Sequence, residues 1–253
     1  MKRPSHLNRT LVIILLAQLL VCCEKFSIDD PINVSNDGFL WALICQGVDT
    51  NGDGEISYAE AEAVTSLNLE GPEITNLKGL EAFINLESLH IFNTQAREID
   101  FRSLGALKEV GCHDNIFTEL DFSNNPEMQS LCCYGPNICK LVLPGNSELI
   151  YLNCDGNKLE ELDLEGCTGL EILLCGRNQI SNLALDDCRS LQMLDCHENK
   201  LTELDVSELP NLRSLDCSGN QISDLNMTAC TALERLDCSN NRLTELDVSD
   251  NLK

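Results

Sequence analysis

Basic side chains are scarce in this sequence: 17 Lys and Arg stand against 41 Asp and Glu, for a net charge of −24. A field of that sign repels phosphate backbones and anionic headgroups, which excludes nucleic acid as a partner and favours neutral or cationic soluble ones. No apolar run reaches the roughly 20 residues that a membrane-spanning helix needs. The longest, Leu11–Val21, stops at Cys22-Cys23 and gives way to acidic, polar sequence at Glu24. The 15 cysteines include no CxxC pair, so a zinc knuckle is not expected. Aromatic residues make up only 4% of the chain, which gives weight to wherever they cluster.

What is present begins with an export signal. Lys2, Arg3 and Arg9 precede the apolar run, and residues 1–22 read as a signal peptide followed by a linker over 23–34. The stretch LLVCCEK resembles a bacterial lipobox, with Cys23 as the acylated residue because Cys22 before it is small, whereas Val21 before Cys22 is bulky. The resemblance implies an exported lipoprotein of the outer membrane or cell surface, touching membrane only through its lipid. Ordinary cleavage and free secretion is the alternative. Cleavage before Cys23 removes three basic residues and no acidic one, taking the charge from −24 to −27.

Residues 49–61, DTNGDGEISYAEA, alternate oxygen-bearing side chains around a glycine. An oxygen cage for calcium needs ligands at alternate places of a turn, a glycine at the bend and a bidentate glutamate at the twelfth place. Asp49, Asn51 and Asp53 supply the first side chains, Gly54 the bend, Glu55 a carbonyl, Ser57 a direct or water-borne ligand, and Glu60 the closing carboxylate. Phe39, Leu40, Leu43, Ile44 and Val48 precede the loop at helical spacing, behind Asn36 or Asp37 as the cap. Helix and loop together, residues 35–63, resemble an EF-hand, with Ca2+ as the implied ion. Calcium sensors usually pair such loops, and no second one occurs here, so the expected role is structural.

From Val64 to the end the sequence repeats. Units open at Leu86, Leu107, Met128, Leu149, Leu170, Leu191, Leu212 and Leu233, 21 residues apart, on the pattern L-x-x-L-x-C-x-x-N-x-L-x-x-L-x-L/V. With a 22-residue first unit at Val64 there are about nine. Such a period gives each unit one short strand and a return arm, and neighbours stack to share a core. The fold class expected is α/β: a curved parallel sheet of leucine-rich repeats over 64–253 with a small helical, EF-hand-like N-terminal cap. The repeats resemble the extracellular leucine-rich repeats of bacterial surface proteins, the internalin-like adhesins among them. That resemblance implies that Asn115, Asn157, Asn178, Asn199, Asn220 and Asn241 bond the backbone of the neighbouring coil. Pro72, Thr94 and Pro136 stand in that place in three units, where the ladder should be irregular. A stack exposes its core at both ends and needs caps. The loop and its exit helix, running into Val64, Leu67 and Leu69, are expected to serve at the N-terminal end; LDVSDNLK completes the ninth unit, where either the chain is truncated or something else covers the end.

Cys112, Cys133, Cys154, Cys175, Cys196, Cys217 and Cys238 recur at the sixth place, and Cys167, Cys188 and Cys230 form another column. Equivalent positions on parallel strands point the same way, which is poor disulfide geometry, so these ten read as packing. Function is expected at the variable places of the concave strands. In the middle repeats these hold His90, Phe92, His113, Asp114, Tyr134, Tyr151, Ile172, Leu174, Arg177, Met193, Asp195 and His197, which include every histidine beyond the signal. Amphipathic aromatics favour recognition surfaces, so a monomer binding a protein or glycan ligand is expected. A scaffold or enzyme-inhibitor module with an endogenous partner is the alternative. His113, Asp114 and Cys132 come together on adjoining strands, but open strands exclude water poorly, and no enzyme is expected.

Overall fold

The computed structural model describes residues 27–251 except 144 and 250; the signal region, Cys22 and Cys23 lie outside them. Among the described residues no helix is long and apolar enough to cross a membrane. The strands in chain order are β1 (Ser66–Glu70), β2 (Ser88–Phe92), β3 (Glu109–Gly111), β4 (Glu119–Asp121), β5 (Ser130–Cys132), β6 (Lys140–Val142), β7 (Tyr151–Asn153), β8 (Ile172–Leu174), β9 (Met193–Asp195), β10 (Ser214–Asp216) and β11 (Arg235–Asp237). Nine of them form one sheet in the order β1-β2-β3-β5-β7-β8-β9-β10-β11, while β4 and β6 pair apart on the return arms. Every pairing is parallel and in repeat register: Ser66 faces Ser88, one 22-residue unit on, and Ser88 faces Glu109, one 21-residue unit on. The result is a parallel solenoid of eight turns between its first and last strands.

The sequence pattern explains the ladder. The middle residues Leu67, Leu89, Val110, Leu131, Leu152, Leu173, Leu194 and Leu215 are each at most 1% exposed, which commits them to packing and leaves their flanking neighbours facing outward. Strands stay short because the eighth residue of each unit turns the chain in a left-handed conformation. Gly71, Asn93, Asp114, Gly135, Gly156, Arg177, Glu198, Gly219 and Asn240 have φ between +49° and +148°. Asp114 and Arg177, expected simply as surface contacts, are therefore turn residues as well. For an arginine this backbone region is strained.

The asparagine ladder is present where the pattern holds. Asn178 Nδ2 donates to the carbonyls of Cys154 (3.0 Å), Cys175 (3.1 Å) and Gly176 (3.0 Å), and its Oδ1 accepts from Leu159 N–H (3.0 Å). Asn157, Asn199, Asn220 and Asn241 repeat these bonds. At the irregular units the substitutes are local. Thr94 donates its N–H and hydroxyl to Asn115 Oδ1, and Asn137, beside Pro136, donates to the Asn115 carbonyl. Asn125 and Asn146 occupy the column otherwise held by Leu104, Cys167, Cys188, Leu209 and Cys230, and bond carbonyls of the preceding coil.

None of the 13 described cysteines is in a disulfide. Burial pushes the thiols of Cys154, Cys188 and Cys217 up to about 12, and those of Cys175 and Cys196 well above the ordinary value. The thiolate is the reactive form, so the column stays inert. In native protein spanning residues 24–253, the exposed Cys45 and Cys139 are expected to react rapidly with a thiol reagent, and the buried thiols only on unfolding. Rapid native labelling of Cys175 or Cys196, read by mass spectrometry, would contradict the packing role.

Two helices, α1 (Asp37–Cys45) and α2 (Tyr58–Glu62), precede β1. Asn36 caps α1, accepting from Phe39 N–H at 2.9 Å. Phe39 and Leu43 on α1, with Ile56 and Ala61, are buried in one continuous core with Leu67 and Leu69 of β1. One amide on the free edge of β1 is paired, since Asn68 N–H donates to Gln46 Oε1 at 2.9 Å. Part of the stretch read as linker is built into this end. Ile32 N–H donates to the Ile56 carbonyl (2.7 Å) and Tyr58 N–H to the Asp30 carbonyl (3.1 Å), with an antiparallel bridge between Pro31 and Ser57.

Candidate binding face and cation loop

The loop between α1 and α2 folds on its own side chains. Asp49 accepts from the N–H groups of Gly52 (2.7 Å) and Gly54 (3.0 Å), Asn51 from that of Asp53 (2.8 Å), and Asp53 from that of Glu55 (2.9 Å). Gly54 takes the bend with φ +85°. These bonds turn three oxygen-bearing side chains inward at alternate places, a donor set of hard oxygens that suits calcium. Glu60 is placed differently. Its Oε1 accepts from Thr50 N–H and hydroxyl and from Asn51 N–H, and its Oε2 from Ser57 N–H and hydroxyl. Ser57 Oγ accepts from Glu60 N–H in return, completing a capping box on α2. The Ser57 backbone bond leads in holding the Glu60 carboxyl down to about 2, against burial and with help from the Ser57 hydroxyl and from Thr50. Asp49, Asp53 and Glu60 do not bring three carboxylates within 4.8 Å of one another. The first half of the loop thus fits the ion, and the twelfth-place carboxylate ties the two ends of the loop together.

On the sheet face, the third, fifth and seventh residues of each unit stand in three columns. The seventh carries a row of rings: Phe92 and His113 have centroids 4.2 Å apart, and His113 and Tyr134 are 4.6 Å apart with planes 10° from parallel. His90 closes the row against Phe92 at 5.7 Å. Rings lying flat side by side could not approach so closely, so these stand on edge, each covering its neighbour's face. The third column brings Tyr151, Ile172 and Met193 into register, and Leu174 lies opposite Asp195 in the fifth. Tyr134 and Met193 are exposed. Apart from the turn residues Asp114 and Arg177, the residues expected to contact a ligand therefore share one face.

Two glycines that the sequence reading passed over shape that face. A side chain at Gly111 would meet His90 Nδ1 at 2.6 Å, and one at Gly176 would collide with the His197 imidazole, so each glycine leaves the floor on which a histidine lies. Asp155, also overlooked, sits in the same niche beside Gly176. Desolvation raises its carboxyl above the usual range, opposed by His197 and Arg177. For His197, desolvation works against the charge, but the Asp195 hydrogen bond and the Asp195 and Asp155 charges outweigh it, and its pKa is raised. His113 Nδ1 pairs with Asp114 at 2.9 Å, and desolvation pushes the Cys132 thiol up, so the thiolate a Cys/His nucleophile needs is disfavoured.

Comparison with known proteins agrees with this architecture. The model of Leucine Rich repeats (2 copies) matches residues 189–229, and that of the Leucine Rich Repeat matches 232–252. No curated protein matches the chain. Among solved structures, the functional domain of InlJ from Listeria monocytogenes, which includes a cysteine ladder, superposes with a TM-score of 0.68 at 24% identity over 89% of this chain. The chain spans 61% of that domain's length. Internalin C2 of the same organism superposes at 0.67 with 22% identity, covering 87% of this chain and 98% of that one. The ectodomain of the plant receptor kinase GASSHO1/SCHENGEN3 from Arabidopsis thaliana gives 0.62 at 22% identity, covering 73% of this chain and 25% of that one. The fold is that of an internalin-like leucine-rich-repeat solenoid.

Proposed function

We propose that this protein binds another protein through the concave face of repeats two to seven, as an exported surface lipoprotein anchored at Cys23, with a structural calcium ion in its N-terminal loop. Leucine-rich-repeat solenoids serve as binding or scaffold modules, and the plant ectodomain of this fold was solved in complex with CASPARIAN STRIP INTEGRITY FACTOR 2. The single observation that carries the reading is the upright ring row beside the apolar column of Tyr151, Ile172 and Met193. It favours protein over glycan. Sugars stack on open aromatic faces, and here the face of His113 is taken on both sides by Phe92 and Tyr134. What remains is ring edges, a tyrosine hydroxyl and aliphatic surface, the composition of a protein-binding centre with charged groups around it.

A photo-crosslinking amino acid at Ser130, on this face, is expected to capture a defined protein from intact cells and their surroundings, whereas one at the exposed Glu160 on the return arm captures none. Replacing Tyr134 and Tyr151 by alanine should lower the Ser130 yield at least tenfold, since buried aromatic anchors each carry roughly 2 kcal/mol or more. Equal capture from both positions, or a yield indifferent to the two tyrosines, would sink the assignment.

A further inference from the structure

We propose that Asp195, His197 and Asp216 form a cation site of their own, taking a divalent transition ion of the zinc class at the C-terminal side of the concave face. Among the described residues they are the one set of three histidine, cysteine or carboxylate side chains whose donor atoms all lie within 4.8 Å of one another. Asp195 and Asp216 face each other in register on β9 and β10, above the buried Leu194 and Leu215. Donors carried on packed strands are held in place more firmly than donors on loops.

The surroundings add a second line of support. The imidazole of His197 occupies the space over Gly176, where any side chain would displace it, and this holds the ring between Asp195 and Asp155. Asp195 Oδ1 bonds His197 Nδ1 at 2.5 Å, so an ion held by these two groups and Asp216 takes the place of the proton they share. The neighbouring charges are Asp155 and Glu198, with Arg177 reaching them at 3.8 Å and 3.4 Å. One guanidinium set against four carboxylates leaves the niche short of positive charge. A cage of one imidazole and carboxylates suits zinc and its neighbours, while calcium takes oxygen donors alone.

The test is calorimetric titration of zinc chloride into the protein spanning residues 24–253, with Cys45 and Cys139 changed to serine and calcium in excess to fill the N-terminal loop. One zinc per chain is expected. His197→Ala and Asp216→Asn should each weaken it at least tenfold, Gly176→Ala should do so by displacing the imidazole, and Asp224→Asn on an exposed return arm should leave it unchanged. Circular dichroism of the variants should match that of the parent. No zinc binding, or binding that survives both His197→Ala and Asp216→Asn, overturns the site. The outcome is separate from the protein-binding reading, which the Ser130 crosslink tests without metal.

Discussion

Chelating calcium is expected to lower the thermal midpoint of the protein spanning residues 24–253, and an Asp49→Ala/Glu60→Ala variant should show the lowered midpoint whether or not calcium is added. At a thousandfold excess of ion over its dissociation constant, binding to the folded state alone adds about 4 kcal/mol, which for a chain of this size is worth roughly 8 to 16 °C. The coupling runs through α1 and α2, whose Phe39, Leu43 and Ala61 share the core of β1. Each coil of a solenoid contacts only its neighbours, so opening of the cap should be felt first at β1 and β2. Glu60 links the two effects. Its carboxylate holds the start of the loop to the start of α2, so its removal costs a helix cap of about 1 kcal/mol in addition to the effect on the proposed ion. Scanning calorimetry with and without chelator measures both; a midpoint indifferent to calcium would detach the loop from the solenoid.

Replacing Asn178 by alanine is expected to cost roughly 3 kcal/mol in urea unfolding, because a buried N–H left without an acceptor is more expensive than an ordinary hydrogen bond is favourable. Leu159 N–H loses its acceptor, and the carbonyls of Cys154 and Cys175 each drop from two asparagine donors to one. The side chain serves two coils at once, so the loss should spread to the unit before it. A cost below about 1 kcal/mol, the yield of a single average hydrogen bond, would mean that water replaces the ladder. Asp224→Asn is the fitting control, being exposed on a return arm.

Much of this architecture was legible because it repeats. Leu89, Leu131, Leu152 and their counterparts announce inward places by recurring every 21 residues, and the cysteines at the sixth place announce theirs in the same way. Departures from the repeat were harder to read. Gly111 and Gly176 look like filler in a sequence, and only the side chains of adjoining strands show that each makes room for a histidine. Asp155 went unnoticed because its importance lies in His197, two coils away. The stretch around Ile32 gave no periodic signal, being one isolated antiparallel bridge, Pro31 to Ser57, with the bonds beside it. In Ser57-x-x-Glu60 the same spacing serves a calcium loop and a helix capping box. The sequence carries both readings, and the side-chain contacts show the second.

That the loop module closes the stack is tested most directly at one amide. Asn68 N–H lies on the free edge of β1 and is held by Gln46 Oε1, a side chain just beyond α1. Hydrogen exchange at Asn68 should be slow in calcium and at least a hundredfold faster with chelator or in a Gln46→Ala variant, while amides in the middle strands β7 and β8 exchange alike in all three. Exchange at Asn68 that is equally fast with and without calcium, or equally slow in Gln46→Ala, would contradict a calcium-tied cap.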